Sequence, residues 1–259
     1  MTPSLRDTSA STGKLPVTIP RLRAAGLAAA AVLTAAGLVL IWVARLSADR
    51  FLYVSELGAS VEPTAVVFRI ALSSVAVSAG LVALCMPRLS PRTRFFSAVP
   101  AAVVLAISAV AFGIASQVTC TQYCPLPVGA AFTWQDLIHT VCAVIGFAGA
   151  SFVMLQVATD SRFRRLARFS AAAAISVAVI AGIGGLLSLL RFGTQVGGIL
   201  ELVATTIALV WLIGLASLLA ADVWPRAVGA APGLPETGTE SPGQLQPSQH
   251  ATPERVAST

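Results

Sequence analysis

The sequence predicts an all-α, polytopic integral membrane protein with six transmembrane helices, and composition and patterning both support this fold class. Of its 259 residues, 56% are hydrophobic and 11% are charged, whereas soluble domains carry about 25% charged residues. Six apolar runs exceed the roughly 18 residues of a spanning helix, and they lack the short alternation of barrel strands. The predicted spans are residues 24–43, 65–86, 95–116, 137–157, 169–190 and 198–221.

The first span follows Arg21 and Arg23, as the apolar core of a secretory signal would. Its 20 apolar residues exceed the roughly 7–15 of a signal peptide, so we expect a retained helix. The predicted transmembrane domain covers residues 23–222. The flanking tails, 1–22 and 223–259, are rich in small and polar residues and are predicted to be disordered.

The distribution of basic residues predicts the orientation. Thirteen of the 17 lysines and arginines lie in the two tails and in the loops after the second and fourth spans. By the positive-inside rule, both termini then face the cytoplasm of a prokaryote whose plasma membrane holds the protein. Because the basic clusters flank the spans, they explain the net charge of +6 without a nucleic-acid partner. The expected partners are membrane lipids.

Charged and ionisable residues within spans are costly in lipid, and each is a candidate functional residue. In this sequence they concentrate at the helix ends predicted to face outward, beside an acidic loop. We therefore predict an outward-facing polar pocket that binds a lipid or small polar ligand. Its predicted ligand-binding residues are Glu56, Arg69, Asp136, His139 and Glu201.

Four of these residues, and Arg191 at the end of the fifth span, also have a structural interpretation. Arg69 and Arg191 are close enough to the interface to extend their charges into water. Asp136 is positioned to cap the fourth helix. Glu201 is a candidate for an ion pair with either arginine, and His139 for a hydrogen bond between helices.

The cysteine loop, VTCTQYCPLP, holds Cys120 and Cys124 between the third and fourth spans. The predicted orientation places it in an oxidising compartment, which favours a disulfide that stiffens the loop over the pocket. Two alternatives stay open, a redox centre and a metal site completed by His139 and Asp136. The spacing of four differs from the C-x-x-C redox motif and is not diagnostic of a metal, so we predict neither a metal nor a cofactor.

Enzyme classes find little support in the sequence. A multi-histidine zinc hydrolase needs several imidazoles, and the chain has two histidines, of which His250 lies in the last tail. A serine hydrolase of the common α/β type would carry a G-x-S-x-G motif, which this sequence lacks. We expect a protein that is not an enzyme. The alternatives to ligand binding are a structural or interaction protein, and an ion- or proton-coupled transporter using Glu201 and His139.

Several short motifs resemble a known family. The sequence SELGA at residues 55–59, His139 near the start of the fourth span, and GILE at residues 198–201 leading to Trp211 are similar to the prokaryotic membrane proteins grouped as domain of unknown function 998. The resemblance covers about residues 24–220 and implies six helices and a membrane location, without an established activity. The family's sixth-helix Glu is often followed by Arg, whereas Leu202 follows here.

Overall fold

The computed structural model describes residues 18–50, 52–125, 129, 132–190 and 194–229, and the regular structure of this part is helical. Most of both tails and Arg191 lie outside the described residues. Two short 3-10 helices, Ser55–Gly58 and Ser161–Phe163, interrupt the connections. The α-helices are α1 (Thr18–Leu46), α2 (Ala65–Cys85), α3 (Arg94–Ser97), α4 (Ala101–Gln117), α5 (Trp134–Thr159), α6 (Arg164–Leu189) and α7 (Thr194–Gly229).

Five helices, namely α1, α2, α5, α6 and α7, are long and apolar enough to cross a membrane. The third predicted span, 95–116, differs from the expectation because Pro100 precedes the first residue of α4 and has an extended ψ of 130°. Proline disfavours a helical conformation in the residue before it, so the segment splits into α3 and the apolar helix α4. With 17 residues, α4 is about 25 Å long at 1.5 Å per residue.

The six long helices form a closed ring in chain order. Each packs against its sequence neighbour, with α4 following α2, and α7 returns to pack against α1. Because successive helices run in opposite directions, α1 begins and α7 ends at the same side of the ring. We call this side the terminal end and the opposite side, which holds the 3-10 helix Ser55–Gly58, the distal end.

The outward surface of the ring is apolar. Val66 and Val77 on α2, Val144 on α5 and Val210 on α7 are 66%, 56%, 62% and 44% exposed. Exposing such a surface to water is unfavourable, whereas contact with lipid is not. Together with the five long apolar helices, this surface fits a multi-pass membrane protein.

Close contacts between small residues join α1 to α2. The hydroxyl groups of Thr34 and Ser78 lie 2.5 Å apart and 2.9 and 2.8 Å from the carbonyl oxygen of Ala30, and their two protons supply two of these three contacts with hydrogen bonds. A Cβ on Gly37 would lie 2.9 Å from the carbonyl oxygen of Ala71, so a larger residue would separate the helices. Small residues and short hydroxyl contacts are the usual means of helix association in lipid.

An ion pair fastens two loops at the terminal end. The buried carboxylate of Asp160 accepts hydrogen bonds from the backbone N–H groups of Ser90 and Arg162, at 2.7 and 2.9 Å, and pairs with the Arg162 guanidinium at 2.8 Å. The guanidinium also donates to the carbonyl of Arg88. Burial opposes ionisation of Asp160, but these hydrogen bonds outweigh it and lower the pKa of Asp160.

The Asp160 contacts predict an acid-sensitive fold. A carboxyl group with a lowered pKa in the folded state stabilises the fold above its unfolded pKa of about 4, and this contribution is lost as pH falls through the folded value. We expect unfolding free energy to decline below about pH 4, and Asp160→Ala to cost about 1 kcal/mol at neutral pH by removing the acceptor of the Ser90 and Arg162 hydrogen bonds. Denaturant titrations at pH 7 and below pH 4 test both. An acid-induced loss of equal size in Asp160→Ala would contradict this role.

Candidate functional site

The ring encloses a cavity with an open volume of about 80 Å³. Its lining residues on α7 run from Glu201 to Leu212, and those on α5 run from His139 to Ala150. Each stretch covers eleven residue steps, or about 16 Å along the helix at 1.5 Å per residue. The cavity is therefore long and narrow, and it extends from the distal end into the middle of the bundle.

The wall of this cavity is mainly apolar. Phe68, Phe112 and Phe147 line it, and Trp211, which is 1% exposed, lies at its deeper part. The indole N–H of Trp211 donates to the hydroxyl of Ser170 at 2.8 Å, so the ring presents carbon atoms with its polar atom satisfied. The cavity lies between two clusters of buried apolar residues, one towards each end of the bundle. Such a space accepts a hydrocarbon chain better than a polar molecule.

Glu201 lies at the distal end of the cavity and binds two residues of the loop between α1 and α2. Its carboxylate accepts hydrogen bonds from the backbone N–H groups of Val54 and Ser55, at 2.9 and 3.2 Å, and lies 3.5 Å from the Ser55 hydroxyl. These donors lie at the beginning of the 3-10 helix Ser55–Gly58, where backbone N–H groups lack partners within the helix. Glu201 therefore caps this short helix from the neighbouring helix α7.

We call the 3-10 helix Ser55–Gly58 the plug, because it covers the distal end of the cavity. Its Glu56, Leu57 and Gly58 are buried. A Cβ on Gly58 would lie 2.5 Å from the ring of Phe68, so glycine permits the close approach. The hydroxyl of Thr64 donates to the Leu57 carbonyl at 2.9 Å and ties the plug to the start of α2.

Glu56 links the plug to the cysteine loop. Its carboxylate accepts hydrogen bonds from the Arg50 guanidinium at 2.7 Å and from the Tyr123 backbone N–H at 3.1 Å. The bond to Glu56 raises the pKa of Arg50, which also pairs with Glu62 at 2.7 Å. The Arg50 guanidinium lies 5.0 Å from the centre of the Tyr123 ring, within the range of a cation–π contact. Charged contacts thus hold the two distal loops together.

The sulfur atoms of Cys120 and Cys124 lie at covalent bonding distance, with their Cα atoms 5.1 Å apart. Tyr123 and Cys124 have φ angles of 65° and 41°, a left-handed conformation that is uncommon for residues other than glycine. The ligating atoms of Cys120, Cys124 and His139 all lie within 4.8 Å of one another. Since the two sulfurs are already adjacent to each other, thiolate ligation of a metal would require this pair to open.

His139 contributes the other polar group at the distal end of the cavity. It is 2% exposed, and its Nδ1 lies 2.8 Å from the carbonyl oxygen of Val118. A carbonyl oxygen accepts hydrogen bonds and cannot donate them, so Nδ1 carries the proton. The remaining ring nitrogen, Nε2, is buried and has no hydrogen-bond partner within the described structure.

The structure brings together His139 and Glu201 from the predicted binding residues and locates the other three elsewhere. Asp136 is buried and accepts hydrogen bonds from the Thr121 backbone N–H and hydroxyl, at 2.7 and 2.8 Å, while its own N–H donates to Thr133. It therefore fastens the cysteine loop to the beginning of α5. Arg69 lies in a separate groove and donates to Gln117 at 2.9 Å. Glu56 belongs to the contacts between the loops.

The fold and this site define a class: a multi-pass helical membrane protein whose ring of helices encloses a capped, mainly apolar cavity. Residues 28–218 match the family described as "Protein of unknown function (DUF998)". The chain belongs to this family, as the SELGA, His139 and GILE motifs predict. No curated protein and no solved structure matches the chain.

Proposed function

We propose that this protein binds or senses a membrane amphiphile, a lipid or lipid-like molecule, in the cavity of its helical ring. The supporting observation is the combination of a narrow, apolar cavity about 16 Å long with His139, Glu201 and Ser55 gathered at one end. An extended hydrocarbon chain fits the long apolar part, and its polar head fits the distal end. This proposal replaces the mainly polar pocket expected from charge placement.

In the proposed arrangement in the cell, α4 spans the membrane in addition to the five longer helices, although it is the shortest helix of the ring. With both termini in the cytoplasm of a prokaryote, the distal end faces the outer surface of the plasma membrane. A disulfide between Cys120 and Cys124 then stiffens the loop beside the plug. A transporter is less well supported, since the deeper cavity is lined by residues such as Ala79, Leu105 and Leu212, which offer no path for an ion.

Native mass spectrometry of gently extracted protein tests the proposal. We expect a non-covalent adduct whose mass corresponds to an amphiphile with a long apolar chain. An empty bundle that retains a stable protein partner would instead support the structural alternative and overturn the proposed function.

A further inference from the structure

The hydrogen-bonding groups at the distal end of the cavity restrict the head group of the proposed ligand. His139 Nε2 is an acceptor in the neutral ring, because Nδ1 donates its proton to Val118. Buried polar atoms without a partner are rare in folded proteins. The unpaired Nε2 therefore indicates a missing hydrogen-bond donor.

Glu201 adds acceptor capacity at the same end. Its two carboxylate oxygens accept from two backbone N–H groups and face the Ser55 hydroxyl, and it has no proton to give while ionised. None of the described residues that line the cavity is a lysine or arginine. Arg50, which precedes the plug, and Arg69, on α2, are engaged with Glu56 and Gln117 respectively.

An anionic head group fits this site poorly. A phosphate or carboxylate would meet the His139 lone pair and the Glu201 carboxylate without a positive charge to offset its desolvation. An apolar end would leave Nε2 without a partner. An ammonium group would lose its hydration in an apolar space where the Glu201 carboxylate is already engaged by the backbone N–H groups of Val54 and Ser55, so its desolvation would be poorly offset. A hydroxyl group provides one O–H donor, carries no charge, and is small enough for a narrow cavity.

From these contacts we infer that the ligand is a neutral, hydroxyl-bearing amphiphile whose O–H donates to His139 Nε2. This inference rests on the proposed function and narrows its ligand class to long-chain alcohols and related hydroxylated lipids. Glu201 acts in this arrangement by holding the plug over the head group, and His139 makes the direct contact.

Four probes of equal chain length separate the candidate heads: 1-dodecanol, dodecanoate, dodecylamine and dodecane. Each is added at the same mole fraction to the protein in nanodiscs, and occupancy is measured by native mass spectrometry at pH 8. We expect 1-dodecanol to bind roughly tenfold more tightly than dodecane, the size of one hydrogen bond to a buried partner, and more tightly than the two charged probes. Tighter binding of dodecanoate or dodecylamine would overturn the inference.

His139→Asn supplies the matched variant, because the asparagine amide retains a donor for the Val118 carbonyl and lacks an atom at the Nε2 position. We expect it to bind 1-dodecanol and dodecane equally, with its melting temperature near that of the wild type. An unchanged preference for 1-dodecanol would refute the role of Nε2. If all four probes bind the wild type equally, the head-group inference fails and the cavity proposal survives, whereas binding of none overturns both.

Discussion

Replacing Glu201 with leucine is expected to destabilise the fold strongly. Leucine leaves the backbone N–H groups of Val54 and Ser55 buried without an acceptor. Each unsatisfied buried donor costs about 1–3 kcal/mol, so the expected loss is about 2–6 kcal/mol. Glu201→Gln retains one acceptor oxygen and is expected to lose about half as much. Denaturant titration in mixed micelles measures both differences.

Glu62→Leu provides the matched control, since it removes a carboxylate from the loop that Glu201 contacts. Glu62 pairs with the 43% exposed side chain of Arg50, and ion pairs near the surface contribute about 0–1 kcal/mol. The two leucine variants should therefore differ clearly in unfolding free energy. Equal values would show that Glu201 does not cap the plug.

Filling the cavity is expected to abolish ligand binding with little effect on the surrounding fold. Ala208 lines the cavity between Glu201 and Leu212, and a phenylalanine there occupies the space of the hydrocarbon chain. Overpacking costs about 1–3 kcal/mol in a filled core, and the open volume reduces that cost. We expect Ala208→Phe to lose the amphiphile adduct in native mass spectrometry.

Val210→Phe is the control for this variant. Val210 lies two residues away on the same helix and is 44% exposed on the outer surface of the ring, so its substitution places the same side chain outside the cavity. The control should retain wild-type adduct levels. An adduct that persists in Ala208→Phe at the level of Val210→Phe would locate the amphiphile on the outer surface.

Hydropathy was sufficient to predict the helical membrane fold, because a spanning helix needs a long apolar run and the chain has several. The break before α4 follows from Pro100, a local signal that lies within an otherwise continuous apolar segment. No comparable local signal in the sequence predicts that α1 and α7 pack against each other and close the ring. It depends on small residues and on pairwise packing, which a single sequence does not specify.

Charge placement singled out five residues, of which His139 and Glu201 line one cavity, and their binding role stays a prediction. An ion pair of Glu201 with Arg69 or Arg191 was a structural alternative. In the described structure Arg69 contacts Gln117 instead, and Glu201 contacts backbone N–H groups, while Arg191 lies outside the described residues. Nearly every residue has a backbone N–H group, so residue identities do not predict which of these groups Glu201 contacts. The SELG motif was the sequence signal for the plug, since Ser55 contacts Glu201 and Gly58 packs closely against Phe68.

The position of a bound chain relative to Trp211 tests the cavity proposal most directly. In a variant that keeps Trp211 as its single tryptophan, fluorescence quenching is compared between 12-bromododecan-1-ol and 2-bromododecan-1-ol. Trp211 lies ten residues beyond Glu201 on α7, about 15 Å deeper at 1.5 Å per residue. The account predicts strong quenching by the tail bromine, weak quenching by the bromine near the head, and loss of both in Ala208→Phe. Equal quenching by the two probes, or none, would contradict it.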